Sequence, residues 1–216
     1  MAEVTGILPT EYRMSFTAAS LRPELARVCA EAYFETGSWA GARKSVLEAN
    51  SFQCRSRTSL QRLEREMRQR VACLNDEELT LLATGTSDER IAMSWLAVLK
   101  HVALVREFVI ETLREKLEAF DTDLRPSDYD SFIAARSVTH PELVELKEST
   151  REKIQQVLLR MLMEAGLTQE QDGRRRIVRP VGSPEVTNVI VADDPRLLAG
   201  FLWTDEEIQA IKKDNS

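Results

Sequence analysis

The sequence predicts an all-α protein, a multi-helix bundle with a helix-turn-helix-like basic pair and a small C-terminal winged-helix-like β-hairpin. Three observations predict it. Glycine (8) and proline (7) are few among 216 residues and aromatics make up only 6%, a balance that favours helix over sheet or disorder. Apolar residues recur three or four apart through most of the chain, the period of helices with one buried face. Near the end, Asp172-Gly173 followed by Arg174-Arg175-Arg176-Ile177-Val178-Arg179 is the strongest hairpin signal in the chain, and Pro180 stops the strand.

Taken in order, Met1–Thr10 lacks the basic start and apolar core of a secretory signal. Tyr12–Ala19 reads as irregular or short-strand material. Ser20 and Pro23 then open a helix with Leu21, Leu25, Val28 and Ala32 on one face, and Gly37 ends it. A second helix runs from Ser38 to about Ala49, with Trp39, Ala42, Val46 and Ala49 at helical spacing and a stop at Asn50-Ser51. A polar turn, Gln53 to Arg57, leads to Thr58 and Ser59, whose hydroxyls suit a helix start, so a third helix is expected from about Thr58 to Leu74.

Asn75 with Glu78 forms a capping box for a short helix closed by Gly85. From Ser87 to about Phe120 there is neither glycine nor proline, and so long a run predicts one helix with a bend or break near His101. Pro126-Ser127 followed by Asp130 starts another helix, and Thr139 with Pro141 starts a short one. Ser149 and Glu152 form a capping box for a helix burying Ile154, Val157, Leu158, Met161, Leu162 and Ala165, and Gly166 ends it. The tail reads as short helices opened by Ser183-Pro184, by Asp194-Pro195 and by Thr204 with Glu207, with Leu197, Leu198, Phe201, Leu202 and Trp203 docking on the body. The expected division is an N-terminal part, 1–86, with the basic pair, and a C-terminal part, 87–216, with the hairpin wing, compatible with one compact unit.

The stretch that points at a ligand is the third helix. Leu60, Leu63, Met67, Val71 and Leu74 make its apolar stripe; Arg62, Arg65 and Gln69 project opposite, Arg68 and Arg70 flank, and Arg55 and Arg57 sit in the turn before it. From Trp39 to Asn75 there are eight basic residues (Arg43, Lys44, Arg55, Arg57, Arg62, Arg65, Arg68, Arg70) against three acidic (Glu48, Glu64, Glu66). That net of +5 stands in a chain of −6, so the rest carries −11. Guanidinium is a planar fork that binds phosphate oxygens in pairs, and a basic patch on an acidic protein is the electrostatic footprint of nucleic-acid binding. The competing reading is a solvated face, because Glu64 to Arg68 and Glu66 to Arg70 are good i,i+4 pairs. The hairpin arginines, Arg174, Arg175, Arg176 and Arg179, could likewise lie along phosphates or simply charge an edge strand against aggregation.

Other chemistry finds little support. Cys29, Cys54 and Cys73 are odd in number and widely spaced, no CxxC occurs, and with only His101 and His140 a structural zinc site is not expected. Reduced thiols in a cytoplasmic protein fit this usage. Asp121, Asp123, Asp128 and Asp130 fail as an EF-hand, since Pro126 and Phe132 stand where glycine and glutamate are needed. No phosphate loop, GxGxxG, HExxH or GxSxG is present, so a binding protein without cofactor or metal is expected rather than an enzyme. The most apolar run, Ile91–Ile110, is broken by Lys100, His101, Arg106 and Glu107, whereas a membrane span needs about 20 mostly apolar residues.

The order of features resembles the BrxA family of bacteriophage exclusion (BREX) phage-defence systems. The likeness lies in Ser38-Trp39, Asn50-Ser51-Phe52-Gln53 leading into Arg55-Ser56-Arg57-Thr58-Ser59, and the arginine-rich helix to Leu74. It continues through the apolar helix around Trp95 to Phe108, Phe120-Asp121-Thr122, Ser149 to Lys153, and Leu162 to Leu167. It covers the chain from about Tyr12 to Pro180, with motifs that are diffuse rather than catalytic. The resemblance implies a cytoplasmic, all-helical, non-enzymatic protein, similar in part to NusB-type antitermination domains, that binds double-stranded DNA beside other BREX proteins and not a membrane. The expected DNA-binding residues are Arg55, Arg57, Arg62, Arg65, Arg68, Gln69, Arg174, Arg175, Arg176 and Arg179. With few Asn/Gln pairs or aromatics on the basic face, modest sequence preference is expected. An RNA-binding role, or a NusB-like scaffold docking other defence components, is the alternative.

Overall fold

The computed structural model describes residues 12–214; Met1–Thr10, where no leader is expected, lies outside them. Tyr12–Ala19 is not a strand: Met14–Ala18 forms a 3-10 turn with Phe16 fully buried. Helix α1 (Pro23–Thr36) follows left-handed Arg22, and Ser20 does not cap it but is buried beneath it. Helix α2 (Trp39–Ala49) begins where Ser38 Oγ accepts from Gly41 N, and left-handed Asn50 closes it. Helix α3 (Arg57–Val71) is capped by Ser56, not by Thr58 or Ser59, because Ser56 is the last extended residue and its hydroxyl accepts from Ser59 N. It ends three residues before Leu74, in a turn.

Helix α4 (Asp76–Thr84) has the expected capping box, Asn75 and Glu78 each accepting from the other's amide. The long glycine-free run breaks at Val102 into α5 (Ser87–His101) and α6 (Ala103–Phe108), continues as a π-helical turn over Val109–Arg114, and ends in α7 (Glu115–Glu118). The break leaves the Leu99 carbonyl without its helical donor, and Arg106 Nη1 supplies one at 2.9 Å. Every residue from Met93 to Lys100 is buried, since α5 packs on α1, α3 and α4 and also on the C-terminal elements. Among the described residues, no helix is long and apolar enough to cross a membrane.

The C-terminal part is built around a sheet. Strand β1 (Asp123–Leu124) precedes α8 (Pro126–Arg136), α9 (Pro141–Val144) and α10 (Glu148–Glu164); β2 (Thr168–Gln171) and β3 (Arg174–Ile177) follow. The strand order is β1-β3-β2, all antiparallel, with Asp123 opposite Arg176 and Gln171 opposite Arg174. The hairpin turn is as expected, with Asp172 and Gly173 both left-handed (φ 52° and 71°). Two expectations change. The arginine strand stops at Ile177 and is the middle strand rather than half of a two-stranded ribbon, because β1, a pair of residues too short to show periodicity, closes its outer edge. Helix α10 begins at Glu148 after Lys147, so Ser149 lies inside the first turn and no capping box with Glu152 forms. Arg151 instead ties that end down, donating to the Leu143 and Val144 carbonyls.

Helix α11 (Pro184–Asp193), a 3-10 turn (Pro195–Phe201) and α12 (Asp205–Asp214) return over α5. Trp95 Nε1 donates to the Gly200 carbonyl at 2.9 Å. A Cβ at Gly200 would stand 2.4 Å from Leu99 Cδ1, and Leu99 is itself fully buried, so only glycine allows this approach.

One buried cation fixes α3. Arg70, 1% exposed, pairs with buried Glu66 at 2.8 Å and donates to the carbonyls of Phe16, Ala19 and Ser20 at 2.8–2.9 Å. Glu164 of α10 accepts from Leu21 N at 2.8 Å, so residues 16–21 are gripped from two helices. Removing one partner of a buried pair leaves an uncompensated charge, which costs about 3–5 kcal/mol. Arg70→Met should therefore lower the urea unfolding free energy by about that much, and Glu66→Met added to it should recover part of the loss. A double variant less stable than the single would show that the charge pairing is not what the site depends on.

Candidate nucleic-acid interface

The basic face is assembled by short-range devices. Trp39 stacks on Tyr33 (ring centroids 4.4 Å apart), setting α2 against α1. After α2, the Asn50 carboxamide donates to Cys54 O (3.1 Å) and accepts from Cys54 N (3.0 Å), pinning the turn that carries Arg55. Phe52 is buried in the middle of that turn. Ser56 then starts α3, whose positive end lies beside Arg55 and Arg57.

The rotation of α3 decides which arginines remain outside. Leu60, Met67 and Val71 are buried as the periodicity requires, but Glu64 and Glu66 are buried with them. Glu64 accepts from Arg68 Nε at 2.6 Å and lies 3.7 Å from Arg43 of α2; Glu66 is taken by Arg70. The two i,i+4 pairs that argued for a solvated face are thus real but turned inward. Arg55, Arg57, Arg62 and Arg65 are exposed and make no ion pair or hydrogen bond among the described residues. Thr58, Ser59 and Gln61 are exposed beside them. Arg68 and Gln69 are only partly exposed, Arg68 being held by Glu64, so they stand at the margin of this face. Arg43 and Lys44 of α2, counted in the charge balance but not among the expected contacts, are exposed as well.

The hairpin arginines are brought together differently. Arg176 and Arg174 meet Asp123 at 2.6 and 3.4 Å, Arg175 lies 3.9 Å from Glu170, and Arg179 bonds Glu207 at 2.7 Å with its guanidinium over the Trp203 ring. Each of the four faces a carboxylate. Sequence inspection missed these partners because Asp123 and Glu207 are remote along the chain. It also passed over the exposed side of α10, where Lys153, Gln156 and Arg160 recur at helical spacing opposite the buried stripe. Among the described residues, no three His, Cys, Asp or Glu side chains gather as metal ligands. Asp121 and Asp128 are engaged by Lys116 at 2.7 and 3.1 Å, and cationic partners hold the Asp121 carboxyl well below the usual range.

Cys73, just beyond α3, places its Sγ 3.7 Å from His101 Nδ1. Burial raises the thiol pKa and lowers that of the imidazole below its ordinary 6.5. At neutral pH the pair is therefore an uncharged thiol and imidazole, not an activated nucleophile.

These features define a class of protein, mostly helical with a small antiparallel sheet, that exposes unpaired arginines on one helix of a packed trio. The BrxA family model matches residues 10–194, and the chain belongs to that family. It is 24% identical over 163 residues to the BREX protein BrxA of Bacillus cereus (strain H3081.97), covering 76% of this chain and 79% of that one. Against the BREX protein BrxA of Paramagnetospirillum magneticum (strain ATCC 700264 / AMB-1), identity is 24% over 172 residues, 79% and 86% of the two chains. A crystal structure of an uncharacterized protein from Magnetospirillum magneticum shares the fold, with a TM-score of 0.78 at 20% identity, over 89% of this chain and 98% of that one.

The His101 shift has a definite sign. Its folded pKa lies below the unfolded value of 6.5, so on acidification the unfolded chain takes up the proton first and stability falls as pH drops from 6.5 through the folded pKa. The urea midpoint of the wild type should therefore decline relative to that of His101→Gln between about pH 7 and 5. Parallel pH profiles for the two proteins would show that His101 titrates normally.

Proposed function

We propose that this chain is a non-enzymatic component of a BREX phage-defence system that binds duplex DNA, chiefly through phosphates, on the outer face of α3. The observation that carries this reading is the set of four exposed arginines, Arg55, Arg57, Arg62 and Arg65, with no acidic partner among the described residues. An acidic chain that leaves these four arginines clustered on one face without a carboxylate partner fits a polyanionic ligand. Two further features support it. Helix-turn-helix α2–α3 is backed by α1 and α5 as a rigid presenting unit. The order of elements β1-α8-α9-α10-β2-β3 with sheet order β1-β3-β2 fits a winged helix, which supports α10, where Lys153 and Gln156 are exposed and Arg160 pairs with Glu164 at 2.9 Å, as a second helix for DNA. The hairpin arginines Arg174, Arg175, Arg176 and Arg179 join the contact only by exchanging carboxylate for phosphate, so they rank behind the α3 set. Cytoplasmic residence, where DNA is available, belongs to the same proposal.

A second reading rests on a separate observation. An open cleft of about 330 Å³ lies among Ile91, Met163, Val181, Phe201 and Trp203, with Asp88, Glu164 and Thr187 also in its wall and Met163 50% and Val181 98% exposed. Such a surface suits docking of another defence protein.

Fluorescence anisotropy with a labelled duplex across a salt series tests the first reading. Each neutralised phosphate contributes a slope of roughly 0.9 in log affinity against log salt, so four arginines should give about 3–4. Arg62→Glu with Arg65→Glu should remain as stable as the wild type, both residues being exposed, and lose at least about tenfold in affinity. Arg174→Glu with Arg175→Glu should weaken binding less. No binding of duplex DNA at low salt, or binding to duplex RNA alone, overturns the proposal; capture of a BREX component that resists heparin but is lost in Met163→Glu would support the second reading instead.

A further inference from the structure

The seam between α2 and α3 holds one carboxylate that serves two guanidiniums. The Glu64 side chain is 2% exposed, and its Oε1 accepts from Arg68 Nε, one turn further along α3, at 2.6 Å. Across the seam, Arg43 Nε of α2 stands 3.7 Å from Oε2, too far for a hydrogen bond, and that buried oxygen has no hydrogen-bond partner. Both arginines therefore turn the Nε edge of the guanidinium toward Glu64. Their Nη ends make no hydrogen bond or ion pair among the described residues, and the side chains of Arg43 and Arg68 are 55% and 24% exposed.

The charge at this seam is left unbalanced. One carboxylate faces two guanidiniums, and two cations held near a single anion still repel each other. No other carboxylate of the two helices serves them: Glu66 is taken by Arg70, and Glu48 makes no ion pair among the described residues. Lys44, Arg62 and Arg65 are exposed on the same helices, and Arg65, three residues before Arg68, lies on the same side of α3. The surroundings are cationic, so the ligand that fits against the unbonded Nη ends is an anion. Arginine forks hold phosphate oxygens in pairs.

We propose that Arg43 and Arg68 together seat one backbone phosphate of the duplex at the α2–α3 seam, with Glu64 as the residue that positions both. The phosphate supplies, on the outer side, the second anion that the two guanidiniums lack. This inference rests on the duplex-DNA reading above and deepens it, carrying the contact from α3 onto α2 and giving the buried carboxylate a part in binding.

Fluorescence anisotropy of the full chain with a labelled duplex tests it through variants that keep charge and change shape. Arg43→Lys and Arg68→Lys should leave the salt slope near the wild-type value, yet each should lose roughly tenfold in affinity because an ammonium cannot offer the fork. The double variant should lose little more than either single, since both arginines hold the same phosphate. Glu64→Gln keeps the side-chain shape and makes the chain more positive, and it should nonetheless bind more weakly because the forks lose their anchor; the lysine variants decide the matter if it does not fold. Wild-type affinity in the lysine variants, additive losses in the double variant, or tighter binding by Glu64→Gln, as a carboxylate that merely competes with DNA would give, overturns this inference while leaving duplex binding through Arg62 and Arg65 intact. Failure of the wild type to bind duplex at low salt overturns both.

Discussion

The Arg70 guanidinium is the constraint on which the basic face depends. A buried cation needs a full set of acceptors, and Arg70 obtains them from Glu66 on its own helix and from the carbonyls of Phe16, Ala19 and Ser20, separated from it by 54, 51 and 50 residues along the chain. Satisfying that set fixes the rotation of α3 about its axis. Once Arg70, Glu66 and Glu64 face inward, geometry at 100° per residue sends Arg62 and Arg65 to solvent. The same segment is held from the other side by Glu164 of α10 and at its start by Tyr12, which stacks on His140 at 3.8 Å and bonds Glu107. Residues 12–21 thus buckle α3 to α10, the two helices proposed to meet DNA, and tie them together.

Charge is distributed by the same logic. The chain is acidic overall, yet its cations divide into two populations. Lys100 sits inside against Glu78 and Asp193, and the hairpin arginines lie against Asp123, Glu170 and Glu207. The arginines of the α3 face are left without such partners. For a ligand that must displace nothing to bind, the unpaired set is the better receptor; the paired set gives binding only as the difference between two ion pairs in water, which is small.

The sequence by itself determined the helical class, most helix starts and stops, and the hairpin turn. Ser38, the Asn75–Glu78 and Thr204–Glu207 boxes and Asp172-Gly173 act within four residues of where they stand, so their signals are complete in the local sequence. The arginine cluster on α3 was legible for the same reason, as a density of charge on one helical stretch. Only the tertiary structure decided which of those arginines are free, that Glu64 and Glu66 lie inside, and that a two-residue strand at Asp123 meets the hairpin and takes up Arg174 and Arg176. Those outcomes depend on partners about 50 residues away, Phe16 for Arg70 and Arg176 for Asp123, and on a helix rotation that the whole core settles at once. No short-range pattern records either.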